Sequence, residues 1–163
     1  MIKEHKEFKY ELEHIFSYSV GIHWPLEVIG ETPVGLRMNT YIAGGEVWGP
    51  RVRGRVLPVG ADWLTIRPDG IGMLDVRGTI ETHDGALLYV SYTGVMELGP
   101  DGYQQILAGV SPGKVAQQTA SRILASHPDY LWLNRLQCLN FGMSDFETKT
   151  VTYDVYAVKS DVN

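Results

Sequence analysis

Thiols are almost absent from this sequence. Cys138 is the only cysteine among 163 residues, which excludes an internal disulfide and any zinc or iron–sulfur site built from several thiolates. Paired histidines are absent too: His5, His14, His23, His83 and His127 show no His-x-His or His-x-x-x-His spacing, so no metal site is expected. No apolar run approaches the ~18 residues of a membrane-spanning helix, and Met1-Ile2-Lys3-Glu4-His5-Lys6 lacks the apolar core of an export signal. Basic charge is scarce. Fourteen Lys and Arg against nineteen Asp and Glu leave a net charge of −5, which disfavours nucleic acid as a partner because phosphate binding needs a basic surface. Gly70-Ile71-Gly72 lacks the third glycine and the strand-to-helix setting of a dinucleotide fingerprint. The expectation is a cytoplasmic protein with no cofactor, no membrane and no nucleic-acid partner.

What is abundant is turn chemistry. Eighteen glycines and eight prolines punctuate the chain, and no linker or low-complexity tract divides it, so residues 1–163 are read as one domain. Asp69-Gly70, Asp84-Gly85 and Asp101-Gly102 carry the dipeptide that readily takes the positive φ of tight hairpins. The segments between them alternate. In 74–82, Leu74, Val76, Gly78 and Ile80 share one face, with Asp75, Arg77, Thr79 and Glu81 on the other. With 61–67 and 87–98 this forms an antiparallel meander. Residues 8–16, 37–43, 51–57, 131–141 and 150–158 add further strands. The fold class is therefore all-β: an antiparallel up-and-down β-barrel of about eight to ten strands, with one short helical or irregular segment near 112–127.

Between Gly30 and Gly94 the chain carries a string of spaced residues: Gly30-x-Thr32-Pro33-x-Gly35-x-Arg37, Gly44-Gly45-x-x-x-Gly49-Pro50, Pro58-x-Gly60-Ala61-Asp62-Trp63, Arg67-Pro68-Asp69-Gly70, Leu74-Asp75-x-Arg77 and Asp84-Gly85-Ala86-x-x-Tyr89. Tyr130-x-Trp132-Leu133-Asn134 and Gly142 follow. From about 30 to 158 the sequence resembles the bacterial family called domain of unknown function three-two-three-seven. The resemblance implies a small antiparallel β-barrel. At Gln118 and Leu124 the chain departs from the arginine and glutamate usual in that family; if either position lines the family's pocket, this member's ligand differs.

The residues that could carry chemistry lie on strands. Asp75, Arg77, Thr79 and Glu81 form a polar ridge that is either a solvated outer face or, with Arg37 and Tyr92, the lining of a ligand cavity. In the second reading Asp75 or Asp62 is the catalytic base, and Arg37 or Arg77, with Tyr92 or Tyr130, supplies charge and donors to the developing oxyanion. An Asp75–Arg77 pair would lower the carboxyl pKa and argues against Asp75 as base. Arg77, Trp63, Tyr130, Trp132 and Asn134 are the candidate substrate-binding residues. Trp24 and Trp48, with Trp63, Tyr130 and Trp132, suit either a pocket mouth or the plugged ends of a barrel. Asn134 either meets a ligand carbonyl or bridges backbone groups. Arg51, Arg53 and Arg55 alternate on one face, as an anion patch or as a charged strand edge. Cys138, within an alternating strand, is expected to be buried and inert.

Two functions fit. One is a cofactor-independent enzyme of isomerase, hydro-lyase or cyclase type, using acid/base chemistry on a small, partly apolar carbonyl compound in the barrel. The other is a non-catalytic barrel that binds a small organic molecule. A homodimer is a further expectation, as the commonest assembly of soluble proteins.

Overall fold

The Asp-Gly turns set the meander. In the computed structural model, which describes residues 4–161, Gly70 and Gly85 adopt φ of +85° and +88° and close the hairpins joining β4 (Gly54–Ile66), β5 (Ile71–Thr82) and β6 (Leu87–Glu97). Before them run β1 (Tyr10–Ile22), β2 (Glu27–Thr32) and β3 (Gly35–Trp48); after them come β7 (Lys114–Ala125), β8 (Cys138–Asp145) and β9 (Thr150–Ser160). Every neighbouring pair is antiparallel, in the order β1-β9-β8-β7-β6-β5-β4-β3, and β3 returns to β1. Eight strands thus close a barrel. The ninth, β2, lies outside the ring. β3 is long enough to serve two partners: Gly35–Asn39 pairs with β2, and Ile42–Trp48 pairs with β1.

Burial dictates which face of each strand points inward. On β5, Leu74, Val76 and Ile80 are buried while Asp75, Arg77 and Glu81 are on the outer wall, as removal of hydrocarbon from water requires. β1 changes phase at a bulge between His14 and Phe16, so Ile15 and Phe16 are both buried and the simple alternation read over 8–16 breaks down; Phe8 and Tyr10 lie exposed.

Three elements differ from the sequence reading. The short helix is α1, Gly102–Leu107, begun by the Asp101-Gly102 pair that had suggested a hairpin, and 114–125 is the regular strand β7. Its buried positions are Val115, Gln117, Thr119, Ser121 and Ile123, three of them polar, while Ala116, Ala120 and Leu124 face outward, so no hydrophobic period is visible. Burial of these groups is tolerated because they bond one another: Ser121 Oγ donates to Asn140 Oδ1 at 2.9 Å, Asn140 Nδ2 donates to Thr119 Oγ1 at 2.9 Å, and Gln117 donates to Ser144.

The segment read as a strand over 131–141 begins instead as a 3-10 helix, Pro128–Arg135, with β8 starting at Cys138. Pro128 stands at a first helical position, where its missing N–H is no loss, and His127 caps the turn by accepting from the Asp129 amide. This helix lies at the end of the barrel where β1 begins, and its Leu133 and Tyr130 side chains are buried there as a plug. One end of the barrel is therefore shut.

Candidate functional site

Towards the other end the inward side chains do not fill the barrel. They leave a hollow of about 100 Å³. Its walls are hydrocarbon from several strands, including Val20, Met38, Leu64, Leu74, Val76 and Val90. It opens where the chain leaves β1, at Ile22, Trp24 and Leu26, facing the β8–β9 turn with Phe146 and Lys149. Asp62, Asp145 and Lys149 are the charged residues that line it, and the latter two belong to the mouth.

Asp62 follows the β4 irregularity between Val56 and Gly60, which restores an inward direction at Asp62, Leu64 and Ile66. One carboxylate oxygen, Oδ1, accepts the Asp75 backbone N–H at 2.9 Å. Burial among hydrocarbon disfavours the anion and pushes the Asp62 pKa up to about 7; the Asp75 carboxylate adds to this, while the Asp75 amide and the Arg37 guanidinium pull the other way. Thr40 stands directly opposite Asp62 in the β3–β4 ladder, and its hydroxyl oxygen is buried without a hydrogen-bond partner. A buried hydroxyl without a partner is costly, and it lines the same hollow.

Three tyrosines complete the polar side. Tyr18 donates to the Tyr92 hydroxyl at 3.1 Å, Tyr153 donates to Gln117, and the Tyr153 ring packs 5.5 and 5.6 Å from those of Tyr18 and Tyr92. Burial raises all three phenol pKa values well above the ordinary range, so the hydroxyls keep their protons. The nearby Asp62 carboxylate adds to the shift at Tyr92 and Tyr153. The hollow thus combines one carboxyl poised near neutrality with donors that remain protonated.

Of the residues singled out from sequence, Asp62 and Tyr92 meet in this hollow, Thr79 also borders it, and Trp24 stands at its mouth. The others lie elsewhere. Asp75 and Arg77 are on the outer wall, ion-paired at 2.8 Å and about half exposed, so the polar ridge is the solvated face. Arg37 also runs along the outside, donating to the Trp63 carbonyl at 3.1 Å and to Thr65 Oγ1 at 2.7 Å. Trp63 packs edge-on against Tyr41. Tyr130, Trp132 and Asn134 belong to the closed end. Tyr130 donates to Asp84 at 2.8 Å, Trp132 lies 3.8 Å beneath the Arg51 guanidinium, and Asn134 brackets the Ala125 backbone at 2.7 and 2.8 Å. Arg51 and Arg55 pair with Glu13 and Glu81, which makes that row a charged outer edge. Gln118 and Leu124 point outward from β7, so these departures from the family pattern do not touch the hollow.

Cys138 is buried, and burial lifts its thiol to about 11, away from any reactive thiolate. His14, Ser17 and Asp154 form a hydrogen-bonded row on the outer wall, but the buried serine sits between the other two, the wrong order for a histidine to act as its base. Among the described residues no three His, Cys, Asp or Glu side chains converge as metal ligands, and no helix is long and apolar enough to cross a membrane.

The model of the family described as "Protein of unknown function (DUF3237)" matches residues 10–158. The chain belongs to the DUF3237 family. A UPF0311 protein of Rhodopseudomonas palustris strain TIE-1 is 34% identical over 151 residues, covering 91% of this chain and 96% of the relative. Among solved structures, a beta-barrel like protein from Acinetobacter baumannii AYE superposes with a TM-score of 0.81 at 29% identity, over 96% of this chain and all of that one. A structure described as an enzyme from Penicillium herquei matches at a TM-score of 0.64 over 98% of this chain and 100% of that chain, and at 19% identity that likeness is one of fold. The DUF3237 barrel is thus shared from end to end with these proteins. The glycines of the motif string hold its strands together: a Cβ on Gly45 would stand 1.9 Å from the Ser19 carbonyl oxygen, at the seam where β3 closes on β1.

Proposed function

We propose that this DUF3237 protein is a cofactor-independent acid/base enzyme, of isomerase, hydro-lyase or cyclase type, acting on a small, partly apolar carbonyl compound held in the hollow. The observation that carries this reading is Asp62, a carboxyl among hydrocarbon walls with a pKa of about 7, near working pH. As the anion it takes a proton from the carbon beside the carbonyl. The C–H electron pair becomes the enol double bond, and the carbonyl oxygen gains negative charge. Tyr92, whose oxygen already accepts from Tyr18 and whose own proton is free to point into the hollow, and the partnerless Thr40 hydroxyl are the donors available to that oxygen. Return of the proton from Asp62 to another carbon completes an isomerisation. Expulsion of a β-hydroxyl, protonated by Asp62, completes a dehydration. The Penicillium herquei protein that shares this barrel is described as an enzyme, which accords with a catalytic reading and indicates no particular reaction.

The test is solvent-deuterium exchange at the α-carbons of small cyclic ketones, followed by NMR. Wild-type protein is expected to accelerate exchange. Asp62→Asn and Tyr92→Phe are each expected to reduce the rate roughly a hundredfold, the low end for loss of a positioned base and of one oxyanion donor. An Asp62→Asn variant, folded normally, that exchanges at the wild-type rate refutes the assignment. Saturable ketone binding with no exchange in the wild type favours the non-catalytic binding barrel instead.

A further inference from the structure

The mouth of the hollow carries a cation that the barrel itself does not use. Lys149 ends the β8–β9 turn with φ of +58°, a left-handed conformation that glycine or asparagine adopts more readily than lysine. The backbone is held there by the Ile22 N–H, which donates to the Lys149 carbonyl at 3.0 Å. Its ammonium lies 4.9 Å above the Trp24 ring, and both side chains line the opening. Among the described residues no carboxylate stands within ion-pairing distance of it, although acidic side chains outnumber basic ones along the chain.

The neighbouring acid is already committed. Asp145 Oδ1 accepts the Glu147 and Thr148 amides at 3.0 and 3.2 Å, and Lys114 lies close enough to offset its charge. What is left at the rim is one exposed ammonium over a half-exposed indole, at the edge of an apolar hollow. A cation so placed gains most from an anion that arrives attached to hydrocarbon, because the apolar body fills the barrel while the charge remains at the water boundary.

We infer that the natural ligand carries a carboxylate in addition to the carbonyl of the proposed reaction, on a compact hydrocarbon body, and is seated with that carboxylate against Lys149 at the mouth. This rests on the hollow being the ligand site, as in the proposed function, and adds the chemical class of its guest. A hollow of about 100 Å³ is smaller than the ~150 Å³ that holds benzene, which limits the fully enclosed body to about four or five carbons. Any larger part of the ligand must extend past Trp24 into solvent.

The test uses two probes of equal shape, cyclopentylacetate and cyclopentylacetamide, titrated calorimetrically into the wild type, Lys149→Gln and Lys149→Asn. Asparagine tolerates the left-handed backbone and guards against a folding artefact. The wild type is expected to bind the acid roughly two- to fivefold more tightly than the amide, the range of an exposed charge pair. Both variants are expected to lose that preference while keeping the amide affinity. Equal affinity for acid and amide in the wild type, or a preference that survives in both variants, overturns the carboxylate assignment and leaves the hollow as a neutral-ligand site. Failure of both probes to bind the wild type at millimolar concentration overturns it together with the hollow as a ligand site.

Discussion

Asp62→Asn is expected to stabilise the protein above neutral pH while weakening the catalysis proposed for it. An aspartyl group in an unfolded chain titrates near 3.9, whereas Asp62 in the barrel titrates at about 7. The native state therefore holds the proton more tightly than the unfolded state. At pH below about 4 both states are protonated and the favourable contribution is intact. As pH rises the unfolded chain ionises first, and stability falls by up to ~1.4 kcal/mol per pH unit until the native group ionises as well. Over roughly three units the loss amounts to about 4 kcal/mol at most. Asparagine has no such titration and can keep the Asp75 amide bond through its own oxygen. Urea unfolding of both proteins from pH 4 to 8.5 checks this. Their difference is expected to grow in favour of Asp62→Asn by about 2–4 kcal/mol across that range. Asp69, Asp84 and Asp145 have lowered pKa values, so their stabilisation is present above the unfolded value and is lost as pH falls. They act alike in both proteins and cancel in the difference. Parallel stability curves would mean that Asp62 titrates like a solvated carboxylate.

Gly45→Ala is expected to open the barrel. Gly45 pairs with Val20 across the β1–β3 seam, and an added Cβ would lie 1.9 Å from the Ser19 carbonyl oxygen and 2.7 Å from the Val20 Cα. Both obstacles are backbone, so no side chain can turn away and the two strands must separate. Overpacking against backbone costs about 3 kcal/mol or more, a large share of the ~5–15 kcal/mol that holds a domain of this size together. For a chain of this length that lowers Tm by roughly 6–12 °C. Gly85→Ala is the control. Its φ is also positive, but no atom lies within 4 Å of the new Cβ, so only the backbone strain of about 1–2 kcal/mol is expected. Thermal melts in which the two variants lose the same stability would show that the seam tolerates a methyl group.

The outer architecture was legible wherever one face of a strand is hydrocarbon. Leu74, Val76 and Ile80 alternate with charged residues, and the Asp-Gly turns at 69–70 and 84–85 bound that strand, so β5 and both its hairpins follow from local physics. The same alternation also decides which way Asp75 and Arg77 point, because burying three aliphatic side chains outweighs bringing an ion pair inside. β7 was not legible: its inward Gln117, Thr119 and Ser121 pay for burial through bonds to Ser144 and Asn140 on the neighbouring strand β8 and to Tyr153 on β9. Nothing local marks such positions.

The candidate site was legible in part for a related reason. Asp62 is the one carboxylate in a strand that otherwise sends Leu64 and Ile66 inward, so periodicity alone points it at the core. Thr40, Tyr18 and Tyr153 gained their roles only when β3, β1 and β9 closed the ring, a contact between segments more than a hundred residues apart in the case of Tyr18 and Tyr153. Lys149 was hidden in a turn whose left-handed backbone a lysine does not advertise.

The most direct test is to follow the Asp62 side-chain carboxyl carbon by NMR through a pH titration of the folded wild-type protein, with Asp62→Asn assigning the signal. A midpoint near 7 is expected from a carboxyl enclosed by the hydrocarbon wall of the barrel. A midpoint near 4, the value of a carboxyl in open water, would contradict it and remove the base from the hollow.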